Sequence, residues 1–91
     1  MDLAAFEAEL KRDGFTEIET RSAQPNVFSP PHTHPCDIRA FLIAGELTLQ
    51  CDGGSRTYRA GDTVVLTAGC EHAEQNGPEG YTYMVGRRRP D

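Results

Sequence analysis

Between Asp2 and Arg12 the apolar residues Leu3, Phe6 and Leu10 recur at spacings of three and four among good helix formers, and Gly14 stands where a helix would stop. The pattern predicts one short amphipathic helix within residues 1–14. After Gly14 the period changes to two. Thr16-Glu17-Ile18-Glu19-Thr20-Arg21 alternates and runs into Gln24-Pro25-Asn26, which reads as a strand and a turn. Short β-type runs follow at Ile38 to Ala44, Glu46 to Cys51, Arg56 to Arg59, Thr63 to Thr67, His72 to Asn76 and Tyr81 to Val85. Gly45, Asp52-Gly53-Gly54, Gly61-Asp62, Ala68-Gly69 and Gly77-Pro78 separate them. Asp-Gly between Leu47-Thr48-Leu49 and Thr57-Tyr58 is a hairpin signal, because both residues tolerate the left-handed conformation of a tight turn. No helix-length segment interrupts these runs, which argues against a parallel α/β sheet. The expectation is an all-β antiparallel barrel or sandwich over residues 15–91 behind a short N-terminal helix. Phe28, Ile38, Ala40, Leu42, Leu47, Leu49, Val64, Leu66, Tyr83 and Val85 are the candidate lining.

At 91 residues the chain holds one domain, and a core of this size is marginal without a metal or a second copy. Nine basic residues against fourteen acidic give a net charge of −5, which argues against a nucleic-acid partner. The one basic run, Arg87-Arg88-Arg89, reads as a solvated tail after the last strand. The N-terminal segment lacks the pattern of a signal peptide, and no window is apolar enough to span a membrane, so no membrane association is expected. Cys36, Cys51 and Cys70 are odd in number and form no C-x-x-C pair, which speaks against a disulfide framework and for a reducing, cytoplasmic location. Cys51 reads as a small buried hydrophobe. Cys36, in His34-Pro35-Cys36-Asp37, is close enough to the histidines to be weighed as a thiolate ligand for a soft metal.

The chain has three histidines. His32 and His34 are two apart, so on an extended segment both rings project to one side, as two ligands of one metal require. A bare H-x-H also occurs in surface loops and is weak by itself. His72 lies 38 residues after His34, directly after a turn, and a closed antiparallel barrel can bring it opposite the pair. Three neutral imidazoles suit Zn, Fe, Ni, Mn or Cu as the divalent cofactor. Glu74 and Asn76 follow His72 at steps of two and share its face. An inward Glu74 is a further ligand or a general base beside the metal, and an outward one, on a bulged strand, faces water.

These residues resemble the two motifs of the cupins, G(X)5HXH(X)3,4E(X)6G and G(X)5PXG(X)2H(X)3N. The second is matched by Gly61, Gly69, His72 and Asn76, with Thr67 where proline is usual. The first is matched by His32, His34 and Gly45, while its opening glycine is missing. Ile38 stands where the motif's glutamate ligand would be, with Asp37 one residue early. The resemblance covers about Ser29 to Gly86 and implies a cupin-type barrel with a metal on His32, His34 and His72. Asn76 would support those ligands, and Asp37, Glu74 or solvent would fill the fourth position. Strict register puts Asp37 and Arg39 on the outer face, since a shift of one residue would bury Arg39. Two functions are open: a metal-dependent enzyme of oxygenase or isomerase type acting on a small polar organic substrate, an acid or a diketone-like compound, and a non-catalytic module that senses a metabolite or metal. A small-molecule ligand follows from either. A homodimer is expected too, because Phe6, Leu10, Phe15 and Ile18 have few local partners.

Overall fold

The computed structural model describes residues 1–90. Asp2 starts the helix: its carboxylate accepts from the Ala5 N–H at 2.8 Å, and α1 follows over Leu3–Arg12. Gly14, at φ +81°, turns the chain into the first strand. Six strands follow: β1 Thr16–Ala23, β2 Phe28–His32, β3 Asp37–Cys51, β4 Gly54–Arg59, β5 Thr63–Leu66 and β6 His72–Arg88. Asp52 and Gly53 both take positive φ and make the tight β3–β4 hairpin that the Asp-Gly pair predicts.

All pairings are antiparallel, and β3 and β6 are shared by two layers. The C-terminal half of β6 pairs with β1 and with the start of β3, which also pairs with β5. The N-terminal half of β6 pairs with β2 and with the end of β3, which also pairs with β4. Two four-stranded layers thus close around one interior.

The alternating pattern predicts two strands on either side of Gly45 and two on either side of Gly77-Pro78. In both places one long strand runs through. The glycine positions hold bulges, not reversals: register shifts fall between Leu42 and Ala44 and between Gly45 and Leu47, opposite the out-looped Gly77 to Gly80. Gly45 is required there, because at φ +84° a Cβ would run into the Gly80 carbonyl. A further difference is β2, where Pro30 and Pro31 conceal a strand from the sequence pattern. Proline is tolerated because β2 pairs on one side only, with β6.

Alternation sorts the core into two clusters. Ala40, Leu42, Leu47, Leu49, Val64, Leu66 and Val85 fill the interior, with Ile38, Tyr58, Tyr81 and Tyr83 packed against them. On the opposite face Phe41 and Met84 join Phe6, Leu10 and Phe15 beneath the helix. Two expectations are corrected here. Phe28 is 53% exposed and does not line the barrel. Phe6 and Leu10 are wholly buried within the chain, so the apolar surface expected to demand a second copy is already covered by Phe41 and Met84.

Arg39 fastens the helix from outside. It bonds Asp13 at 2.7 Å and Glu9 at 3.4 Å, with its guanidinium over the Phe15 ring. The expected tail, Arg87 and Arg88, belongs to β6. Arg88 also lies over the Phe15 ring and binds Asp37 at 3.0 Å, so this stretch is anchored.

Candidate metal centre

Strand pairing sets His32 directly opposite His72, and His34 follows on the loop leaving β2. That loop is pinned by the Gly69 N–H, which donates to the His34 carbonyl at 2.9 Å. The three rings gather with centroids 4.4–5.1 Å apart, and one ligand atom from each lies within 4.8 Å of the others. They are close enough to hold one metal ion.

The hydrogen bonds behind the rings fix which nitrogen faces the centre. His32 Nδ1–H donates to the Pro30 carbonyl at 2.7 Å, and His72 Nδ1–H donates to the Cys70 carbonyl at 3.0 Å. A carbonyl can only accept, so each Nδ1 carries the proton and each Nε2 keeps its lone pair. The Nε2 of His72 is buried with no hydrogen-bond partner, the one such side-chain atom among the described residues. A buried, unsatisfied lone pair costs free energy that a bound ion would recover. His34 is held below its ordinary pKa, first by burial and then by the adjacent His72 and His32 rings, which favours the neutral, ligating form. The donor set, its orientation and the orphaned nitrogen all fit a divalent transition metal.

The remaining candidates fall in different places. Glu74 lines the interior with its Oε1 at 3.4 Å from His72 Nε2, off hydrogen-bonding geometry. Asp37 lies apart from the cluster: its carboxylate accepts from the Ala68 N–H at 2.9 Å and from Arg88, which hold it below its ordinary pKa in that order. Asn76 is buried, but its amide donates to the Gln24 carbonyl at 2.7 Å, so it secures the turn before β2 and supports no histidine. Cys36 is outside the histidine group and lines a wide cleft with His34 and Arg87.

Beside the cluster is a cavity of about 240 Å³, half enclosed by the barrel's apolar lining. Its polar members are His32, His34, Glu74, Tyr81, Tyr83, Arg21 and Arg87. The sequence reading missed both arginines. Arg87 continues the inward alternation Tyr81, Tyr83, Val85, a signal hidden by its place in a basic triplet. Glu19 binds Arg21 at 2.6 Å and lies 3.7 Å from Arg87, offsetting one positive charge of two. Burial raises the Tyr81 pKa far above its ordinary value, with the Glu74 charge adding to it, so the phenol stays protonated. His34 and Arg87 also line an outer cleft of about 870 Å³.

The fold and the site together define a two-layered antiparallel barrel with a histidine cluster beside its interior cavity. The cupin domain model matches residues 21–84, and the chain belongs to that family. Cupin domains commonly bind metals. Among solved structures, the chain resembles a double-stranded β-helix protein from Klebsiella pneumoniae with 25% identity and a TM-score of 0.63, over 77% of this chain and 64% of that one. An RmlC-like cupin from Shewanella frigidimarina aligns at 17% identity and TM-score 0.65, over 77% and 62%. KdgF from a Halomonas species aligns at 15% identity and TM-score 0.62, over 89% and 91%. The chain therefore spans less than two thirds of the first two relatives. No curated protein matches it in sequence. None of its helices is long and apolar enough to cross a membrane, among the described residues.

Proposed function

We propose that this cupin is a metal-dependent enzyme, of oxygenase or isomerase type, that holds one divalent ion on His32, His34 and His72 and acts on a small organic acid. The carrying observation is the buried Nε2 of His72, aimed beside two further imidazoles with its Nδ1 already committed. A bound divalent metal would supply Lewis acidity or oxygen activation. Glu74, inside the cavity and close to that nitrogen, moves a proton to or from the substrate. Tyr81 offers a phenol that remains protonated. The two interior arginines are balanced by Glu19 and Glu74, and a divalent ion at the histidines would tip the cavity positive, so an anionic group is the favoured guest. Arg87 is placed to receive a carboxylate while the other end of the molecule faces the histidines. A cavity of about 240 Å³ restricts the guest to a small metabolite.

The presence of a carboxylate inside the cavity favours an enzyme over a sensing module, since a sensor has no need of a desolvated acid near its metal. The test is turnover of small carboxylic acids by metal-loaded protein, compared with Glu74→Gln. The expected outcome is retained metal and lost turnover. Equal activity in the two proteins would remove Glu74 from the chemistry, and ligand binding without turnover across such a panel would favour the sensor.

Two further proposals accompany this reading. A homodimer would use the exposed Val27 and Phe28 beside the free edge of β2, now that the helix face is internally satisfied. Light scattering showing only the 10.0 kDa monomer at high concentration would refute it. A reducing, cytoplasmic location accords with three free cysteines.

A further inference from the structure

Cys51 closes β3, and Cys70 closes the turn that leads into His72. Their sulfurs are 3.1 Å apart, although 19 residues separate them in the chain. Both cysteines are partly exposed and border a groove of about 440 Å³ lined also by residues of β4 and β5. They are therefore reachable by a small reagent, unlike sulfurs sealed in a core.

The Thr67–Cys70 turn has an unusual number of duties. The Cys70 carbonyl accepts from His72 Nδ1–H at 3.0 Å, and the Gly69 N–H donates to the His34 carbonyl at 2.9 Å. The Ala68 N–H donates to Asp37 at 2.9 Å. One turn thus braces two of the three histidines. Cys51, on the other side, is directly opposite His72 in the β3–β6 ladder and opposite Gly54 in the β3–β4 hairpin. Of the two sulfurs, the ladder holds Cys51, and the turn carries Cys70. A Cβ built on Gly69 would meet no atom within 4 Å, so that side of the turn is open, and its hydrogen bonds to His34, His72 and Asp37 are what hold it.

We propose that Cys51 and Cys70 are a modification site that forms a reversible disulfide, and that closing it weakens metal binding at His34 and His72. The coupling rests on the proposed metal site, whereas the disulfide itself does not. A disulfide needs the sulfurs about 2.05 Å apart, roughly 1 Å closer than they stand. The turn makes most of that movement and draws the Cys70 carbonyl and the Gly69 N–H off the two histidines. The oxidant is a low-molecular-weight disulfide. One thiol of the pair attacks it, forming a mixed disulfide and releasing one small thiol. The other thiol then displaces the second small thiol. The protein loses two electrons and two protons, and the oxidant takes up both to leave as two thiols. Exposed pairs of this kind belong to the labile, regulatory class of disulfides.

The test uses the whole chain carrying Cys36→Ser, so that only the pair can react, and zinc, which has no redox chemistry of its own. After treatment with oxidised glutathione, both remaining thiols are expected to vanish, with the chain lighter by two hydrogens and bearing no adduct. Zinc affinity is expected to fall by about 10–100-fold, the usual effect of losing a ligand's supporting hydrogen bond, and to return on reduction. In Cys70→Ser, and separately in Cys51→Ser, glutathione treatment should leave zinc affinity unaltered. Persistence of both thiols, or a stable glutathione adduct on either, overturns the disulfide. A disulfide with unchanged zinc affinity overturns the coupling. Failure of the reduced protein to bind zinc sinks the metal reading and the coupling together, while the thiol count still decides the disulfide.

Discussion

At the scale of single residues, the histidines and the carboxylates near them have separate duties. His72→Ala removes the best-buried ligand and is expected to abolish stoichiometric metal uptake, which metal analysis after dialysis would show. Asp37→Asn is expected to leave metal affinity unchanged, because that carboxylate is engaged with Ala68 and Arg88. Its effect falls on acid stability. Arg12 and then Arg39 lower the Asp13 pKa from 3.8 to about 2, and Asp37 is lowered too. The folded protein therefore binds fewer protons than the unfolded chain in this range. The stability these groups contribute is complete above about pH 4 and is lost as pH falls through their folded values. Urea midpoints measured between neutral pH and pH 2 should decline, and the double change Asp13→Asn with Asp37→Asn should flatten that decline. An unaltered slope would remove both carboxylates from acid unfolding. The histidine positions were legible in the sequence through their spacing. Arg21 and Arg87 were not: Glu19 and Arg21, two apart, read equally well as a solvated pair, and Arg87 meets Glu19 only across the β1–β6 pairing.

At the scale of elements, period-two alternation located every strand except β2, and helical spacing located α1. The pattern and the structure differ where a glycine marks a bulge and not a reversal. Backbone bulges and turns use the same residues, and only the neighbouring strand distinguishes them: Gly45 is set by its contact with Gly80, 35 positions away in the chain. Gly45→Ala is expected to destabilise the protein by several kcal/mol, since it adds both a positive-φ penalty and a backbone collision. Gly53→Ala is the matched comparison, with positive φ but open space around it, and should cost only about 1 kcal/mol. Equal losses on denaturant unfolding would refute the close-approach argument. Helix docking is tested by Phe6→Ala, which empties a fully buried site against Phe41 and should cost about 3–5 kcal/mol.

At the scale of the whole molecule, a barrel of this length would gain from an ion bound at the proposed site. Free metal at one hundred times its dissociation constant would add about 2.7 kcal/mol. For a domain of this size that corresponds to a rise in melting temperature of about 10–20 °C, reversed by a chelator. Differential scanning calorimetry with and without zinc would measure it, and the rise should be absent in His72→Ala. The whole fold was readable in outline because turn residues recur at strand spacing and the histidines fall in two linked motifs. Which strands pair was not readable, because β3 and β6 each change partners along their length.

That exchange of partners bears on the order in which the protein can assemble. β1 and β2 have only β6 beside them, and β6 begins 49 residues after β1 ends. During synthesis the first two strands must therefore leave the ribosome and wait, unpaired, β2 until His72 to Gln75 have emerged and β1 until Tyr81 to Arg87 have. Only the β3–β4 hairpin and the nearby β5 can form early. Refolding should accordingly be slow, in the range of milliseconds to seconds typical of long-range β pairing. The nascent chain should be most exposed to chaperones and proteases just before its last strand arrives. A ribosome-bound chain halted ahead of His72 should be cleaved readily within β1 and β2, and one that presents all of β6 should resist.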